Sequence, residues 1–289
     1  MNNFLLFLWY YMFVGDYMEK YDVKFKKKYG QNFLKDVSFV KKIVNCADIK
    51  DNSLTIEVGP GGGIMTRELS LVSNNVLAYE IDKELEEELN SRIGKSNNVE
   101  ILFKDFLDSD IKEDISKYNY DYLYFVSNVP YYITTPILLK LIESGLSFTK
   151  IVMMVQKEVG DRFSALPGSK QYGSISVLLN YFYDVKKEFF VSRKLFVPEP
   201  NVDSVIVSFN EKKDKLFLED FNYFDKLVKS AFQFKRKTIK NNLKNYDLSI
   251  IEEVLKNNGF DLGSRAETIP YEVFVDMANE LFKKTHNYQ

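Results

Sequence analysis

The stretch Glu57-Val58-Gly59-Pro60-Gly61-Gly62-Gly63 closes a short apolar run that begins at Leu54. Four glycines and a proline in seven residues cannot continue a strand or a helix; they demand a sharp turn with backbone at positive φ. The pattern beyond the turn is helical over Ile64–Leu71, so the segment reads as strand, glycine turn and helix. The unit then recurs. Asn75–Ile81, Val99–Phe103, Tyr120–Val126 and Lys150–Val155 read as buried strands. Between them lie a helix over Asp82–Arg92, with Asp82 as its N-cap, and another over Pro136–Glu143, with proline in its first turn. Such alternation predicts a mainly parallel, doubly wound α/β sheet. Val185–Val191 and Val202–Phe209 read as closing strands on either side of the proline-marked loop Phe196–Pro200.

After Phe209 the strand signal ends. Helical patterns follow at Phe221–Phe232, Thr238–Asn245, Leu248–Asn257 and Tyr271–Phe282, with Asn258-Gly259 as a helix stop. The expected division is a sheet domain over residues 18–210 and a helical domain over 211–289. Residues 1–17 are expected to stand outside the fold. Their apolar run Phe4–Val14 is too short to span a membrane and has no preceding basic residue of the kind that opens a signal peptide, so an upstream start or a disordered extension, with Met18 as the alternative start, is the reading.

Composition narrows the chemistry. A single Cys46 and a single His286 exclude an intrachain disulfide and a Cys/His zinc centre, so no metal is expected, and a reducing, cytoplasmic setting fits. The net charge of −2 carries no global nucleic-acid signal, but the cations are clustered. Residues 229–244 hold Lys229, Lys235, Arg236, Lys237, Lys240 and Lys244 without an acid, and Lys24–Lys28 form a second cluster. Local patches of this kind bind phosphate backbones, although most basic runs are merely solvated helix faces.

Ligands of open α/β sheets sit beyond the carboxyl ends of the strands. Three groups are expected there. The glycine turn, with Gly59 and Gly61, lets a ligand approach the backbone closely; alone it would equally suit a nicotinamide cofactor. Glu80, at the end of the second strand, suits ribose hydroxyls, and Asp105, after the third, suits an adenine amine, although either acid taken singly would be an ordinary surface carboxylate. Asn128-Val129-Pro130-Tyr131 follows the fourth strand and is more specific. The Asn128 side-chain oxygen and the Pro130 carbonyl are two acceptors for an exocyclic base amine, whose lone pair is otherwise delocalised into the ring, and Tyr131 offers a face to an extruded base. Phe196-x-Pro198-x-Pro200-x-Val202-x-Ser204 stiffens a loop and presents Phe196 either as a second stacking wall or as a core phenylalanine.

With these residues assembled, the chain resembles the ribosomal RNA adenine dimethylase family from about Tyr29 to Lys283. The matching stretches are Gly30–Leu34, Glu57–Gly63, Glu80, Asp105, Asn128–Tyr131, Phe196–Ser204, Ala231–Thr238 and Arg265–Glu267, the last two pointing to the small-subunit branch. The resemblance implies a Rossmann-like S-adenosylmethionine-dependent methyltransferase sheet with a small C-terminal all-helical domain. The implied reaction dimethylates the N6 amines of two adjacent adenosines near the 3′ end of 16S rRNA, with the immature small ribosomal subunit as partner. The competing readings are the large-subunit macrolide-resistance branch and an assembly checkpoint that acts by binding. Cofactor contacts carry over to Asn32, Leu34, Gly59, Glu80, Asp105 and Asn128. RNA contacts are expected at Lys235, Arg236, Lys237 and Lys240; a monomer without membrane association is expected. Val129 stands where the family more often has leucine and Pro270 where a capping serine is common.

Overall fold

The computed structural model describes residues 33–34, 36–93 and 96–286. The expectations for residues 1–17, Lys24–Lys28 and Asn32 fall outside them. The described chain begins with β1 (Phe33–Leu34) and α1 (Val37–Ala47), whose N-cap Asp36 accepts from the Ser38 and Phe39 amides. Next come β2 (Ser53–Val58), α2 (Ile64–Ser70), β3 (Asn75–Tyr79), α3 (Glu86–Ile93), β4 (Val99–Leu102), α4 (Ile111–Ile115) and β5 (Tyr122–Ser127). They are followed by α5 (Thr134–Glu143), β6 (Lys150–Gln156), α6 (Lys157–Phe163), α7 (Ser174–Phe182), β7 (Tyr183–Val191), β8 (Phe196–Val197) and β9 (Ser204–Glu211).

Seven strands form one sheet in the order β4-β3-β2-β5-β6-β9-β7. The first five are parallel, while β9 runs antiparallel to both β6 and β7. The chain builds from β2 outward to β4 and then returns to the other side of β2 with β5. The topological switch point therefore lies between the carboxyl ends of β2 and β5, where open sheets leave a crevice. β1 and β8 pair separately, with Leu34 opposite Phe196.

Because side chains alternate across a strand, β6 feeds both faces: Val152 and Met154 join α1 and α2, while Ile151, Met153 and Val155 face the opposite layer. On that second face the core runs without interruption from the sheet through α7 into α8 (Phe221–Ala231), α10 (Leu248–Asn257) and α11 (Tyr271–His286). Tyr181 against Phe224 and Phe182 against Phe221 are aromatic contacts across this junction, so the helical part is built onto the sheet layer through shared apolar packing.

Several local expectations shift. Asp82 caps a 3-10 turn at Lys83–Leu85 that precedes α3, and its side chain accepts from the Glu84 amide. The helix expected at Thr238–Asn245 is the short α9 (Ile239–Asn242), which carries Lys240 and leaves Lys244 in the turn beyond it; Lys235, Arg236 and Lys237 lie in the turn before it, between the two helices expected there. α1, α4, α6 and α7 were not expected from the sequence. α6 follows β6 without a loop, and its Gly160 packs so closely that an added Cβ would lie 2.3 Å from Val205 Cγ1. No helix among the described residues is long and apolar enough to cross a membrane.

Candidate active site

The glycine turn leaves β2 under tension that only its composition relieves. Gly59, Gly61 and Gly63 have φ of 74°, 54° and 74°. At Gly59 the conformation is the constraint, since an added Cβ would find Pro130 Cδ at an ordinary 3.8 Å. At Gly63 space is short as well, with Ile93 Cδ1 at 3.0 Å. The Gly59 amide donates to the Tyr79 carbonyl at 2.8 Å, so the turn is stitched to the end of β3.

Glu80 comes one residue after β3 and is 3% exposed. Its two oxygens accept from the Gly61 amide at 3.1 Å and the Asp82 amide at 2.9 Å. One backbone donor per oxygen holds the carboxylate and leaves acceptor capacity toward the crevice. Burial raises its pKa, and the backbone donors work against that rise. Asp105 lies three residues beyond β4, where Oδ1 accepts from the Leu107 amide at 2.8 Å.

Glu57 is the residue whose role the sequence did not disclose. It is 2% exposed on β2, lines the crevice, and among the described residues its Oε2 has no hydrogen-bond partner. Burial pushes its carboxyl up to about 8; the Thr66 hydroxyl works against that rise and the Glu80 charge adds to it. An acid inside an apolar strand was the available signal, since charged residues are rarely fully buried without a partner.

At the end of β5, Ser127 Oγ donates to the Val58 carbonyl at 2.6 Å and fixes the two strand ends relative to each other. Asn128 follows, then Pro130 with φ −56°, and a 3-10 turn at Tyr131–Ile133. The Pro130 carbonyl accepts from the Ile133 amide at 3.1 Å and, more weakly, from Thr134 Oγ1 at 3.4 Å, a hydroxyl it shares with the Tyr131 carbonyl at 3.2 Å. The Tyr131 hydroxyl shares a hydrogen bond of 2.7 Å with Ser204 Oγ at the start of β9, so the last residue of the proline-marked motif orients the ring of the other.

Of the sequence-derived set, Leu34, Gly59, Gly61, Glu80, Asp105, Asn128, Pro130 and Tyr131 line one crevice, together with Glu57, Lys104 and the largely exposed Tyr132. Phe196 does not. It is 2% exposed in the core beside α1, and its backbone pairs with Leu34, which does reach the crevice. Its ring serves as packing behind the wall; the stacking surface expected of it is not presented. Lys235, Arg236, Lys237 and Lys240 are all exposed, outside the crevice lining and, among the described residues, without an acidic partner.

The model of the ribosomal RNA adenine dimethylase family matches residues 22–283. A protein of Thermotoga neapolitana named ribosomal RNA small subunit methyltransferase A is 44% identical over 269 residues, covering 93% of this chain and 96% of its own. The protein of the same name from Bacillus mycoides is 40% identical over 276 residues, covering 92% and 94%. Among solved structures, a dimethyladenosine transferase from Plasmodium falciparum superposes with a TM-score of 0.74 at 27% identity, covering 88% of this chain and 98% of that one. A 23S rRNA methyltransferase shares the fold, with a TM-score of 0.68 at 24% identity and coverage of 86% and 99%. The glycine turn, the acids at successive strand ends and Asn128–Tyr131 thus stand in a chain that matches throughout, and it belongs to the ribosomal RNA adenine dimethylase family.

Proposed function

We propose that the chain is a cytoplasmic, monomeric enzyme that transfers methyl groups from S-adenosylmethionine to the N6 amines of two adjacent adenosines near the 3′ end of 16S rRNA in the immature small ribosomal subunit. The observation that carries this reading is the meeting, in one crevice at the switch point, of a positive-φ glycine cradle, two buried acids and Asn128–Tyr131. Its small-subunit branch is supported by relatives of that name at 40–44% identity.

The residues present fit the cofactor. Glu57 Oε2 is a buried acceptor without a partner, which suits an ammonium group, and Glu80 keeps acceptor capacity for ribose hydroxyls. Asp105 Oδ1 is engaged by the Leu107 amide, which leaves Oδ2 for an adenine amine, while Leu34 and Ile64 supply apolar walls. When bound, S-adenosylmethionine supplies an electrophilic methyl group.

The chain's own residues prepare the nucleophile. The Asn128 side-chain oxygen and the Pro130 carbonyl, from which the Thr134 hydroxyl can withdraw to its nearer partner, the Tyr131 carbonyl, accept the two N6 hydrogens, which favours a pyramidal nitrogen with its lone pair turned toward the methyl. No side chain has to titrate for this; the acceptors act by orientation and fixed dipoles. Tyr131, held through Ser204, offers the extruded base a ring face.

The test is methyl transfer from a labelled donor to purified immature small subunits, followed by mass spectrometry of the digested RNA. The expected product is N6-dimethyladenosine at two neighbouring positions of 16S rRNA. Large-subunit RNA offered in a parallel reaction should take no label; label appearing there and not on the small subunits, or stable small-subunit binding without any label, would overturn the assignment.

A further inference from the structure

The turn between α8 and α9, residues 232–238, contains a feature that phosphate binding alone does not use. Phe234 is 56% exposed, although its neighbours Phe232 and Ala231 pack inward, Phe232 against Tyr172 and Phe274. The turn is held firmly. The Lys237 amide donates to the Phe234 carbonyl at 2.9 Å, and the Asn242 side-chain amide donates to the Ala231 carbonyl at 2.6 Å and the Phe234 carbonyl at 3.3 Å. Directly after Phe234 come Lys235, Arg236 and Lys237, with Lys240 and Lys244 on the following turns, all exposed.

Pairing distinguishes this cluster from most of the helical part, where Lys229, Lys256, Lys283 and Lys284 are paired with Asp225, Glu252, Glu280 and Asp247, although among the described residues the scattered Lys213 and Lys226 also lack an ion pair. Among the described residues, the five cations beside Phe234 have no such partner. An unneutralised cluster favours a polyanion, and an aromatic face fixed in its midst is a surface on which a nucleobase can stack. A paired duplex exposes phosphates but buries its base faces, so the ring adds binding only where a base is unstacked.

We infer that Phe234 is a stacking platform for an unpaired base of the RNA, seated within the basic cluster and distinct from the base that enters the crevice. This rests on the reading that Lys235–Lys240 bind rRNA, and it adds the kind of RNA element they face: a loop, bulge or single-stranded end.

Two labelled RNAs of equal length and charge, one unstructured and one fully paired, serve as probes in salt titrations. Phe234→Ala should weaken binding of the unstructured RNA about tenfold, leave the paired RNA unchanged, and keep the log–log salt slope of the intact protein. Phe234→Tyr should retain the preference. Phe234→Trp should show indole emission quenched by the unstructured RNA and not by the duplex, a signal that a merely structural ring does not produce. Lys235, Arg236 and Lys237 replaced together by Ala provide the control for the underlying reading: unchanged affinity and slope would overturn the basic patch and the platform together. A normal drop in that control, combined with a neutral Phe234→Ala, an equal loss on both RNAs, or no quenching, would overturn the platform alone and leave the patch standing.

Discussion

The crevice and the basic turn differ in how their polar groups are satisfied. At the crevice, carboxylates are buried or half-buried and pinned by backbone donors: the buried Glu80 by Gly61 and Asp82, and the half-buried Asp105 by Leu107. At the basic turn the cations are exposed and, among the described residues, without acidic partners, and the hydrogen bonds there hold the backbone beneath them. A buried, preorganised group acts on one ligand atom at one position, and its removal is felt strongly. An exposed cation acts through a screened field, and its removal is felt as one increment among several. The first region should therefore decide which chemistry occurs, and the second which RNA is brought to it.

The largest effect that would break this comparison belongs to Asn128. Asn128→Ala should lower single-turnover methyl transfer about 10²–10³-fold, as for loss of one preorganised polar contact at a reacting group, while RNA affinity is kept. Calorimetry with the donor and filter binding with RNA separate the terms. A loss that appears wholly in RNA affinity would mean the crevice selects RNA after all. At Tyr131 the ring and the hydroxyl can be told apart: Tyr131→Phe gives up the Ser204 bond and should cost a few-fold in rate, whereas Tyr131→Ala should approach the Asn128 variant.

Next in size is Glu80→Ala. It removes a carboxylate that organises Gly61 as well as a ligand contact, and should weaken cofactor binding by about 1–3 kcal/mol. RNA binding and its salt slope should be unchanged. A smaller change is expected at the other region: replacing Lys235, Arg236 and Lys237 with Ala should lower the salt slope by about two units, with cofactor affinity intact. If that variant lost cofactor instead, the two regions would not be separable.

The two regions also differed in how far they could be read from residues alone. The glycine turn, Glu80, Asp105 and Asn128–Tyr131 were legible because each is a local break in an apolar period, and the sheet rule says where strand ends meet. Their convergence in one crevice follows the switch point between β2 and β5. Phe196 was left open between a stacking wall and a core phenylalanine because a proline-marked loop can present or bury its ring; its pairing with Leu34 in a separate two-stranded ribbon, beside a buried ring, is a long-range fact. The insertion of β9 between β6 and β7 is equally invisible to local pattern. α6 and α7 escaped notice because glycine, proline and serine around residues 160–176 suggest loop, whereas tertiary packing against β9 and α11 sustains short helices. In the helical part, Thr238–Asn245 had helical periodicity, yet only Ile239–Asn242 is helical, and this moves Lys244 from the expected helix into the turn beyond it.

The last expected effect concerns Glu57, and it sharpens the comparison by giving the buried region a pH signature that exposed cations lack. Its carboxyl titrates near 4.5 when free and near 8 in the fold, because burial penalises the charged form. Between these values the native state holds a proton that the unfolded chain has released, so unfolding free energy falls as pH rises through that window and levels off above about 8. Glu57→Gln removes the titration. Without cofactor, the variant should therefore lose less stability than the parent between pH 5 and 8, with the difference largest at the alkaline end. Denaturant unfolding at several pH values measures this directly. Ligand binding should carry the opposite sign. An ammonium group against Glu57 favours the ionised carboxylate, so donor affinity should rise about threefold from pH 7 to 8, and then fall as the amino group itself, near 7.7–8.0, gives up its charge. Glu57→Gln should bind more weakly and lack the rise. Identical pH profiles for variant and parent, in both stability and binding, would mean that Glu57 neither titrates in this window nor meets the cofactor, and the unpartnered oxygen would need another explanation.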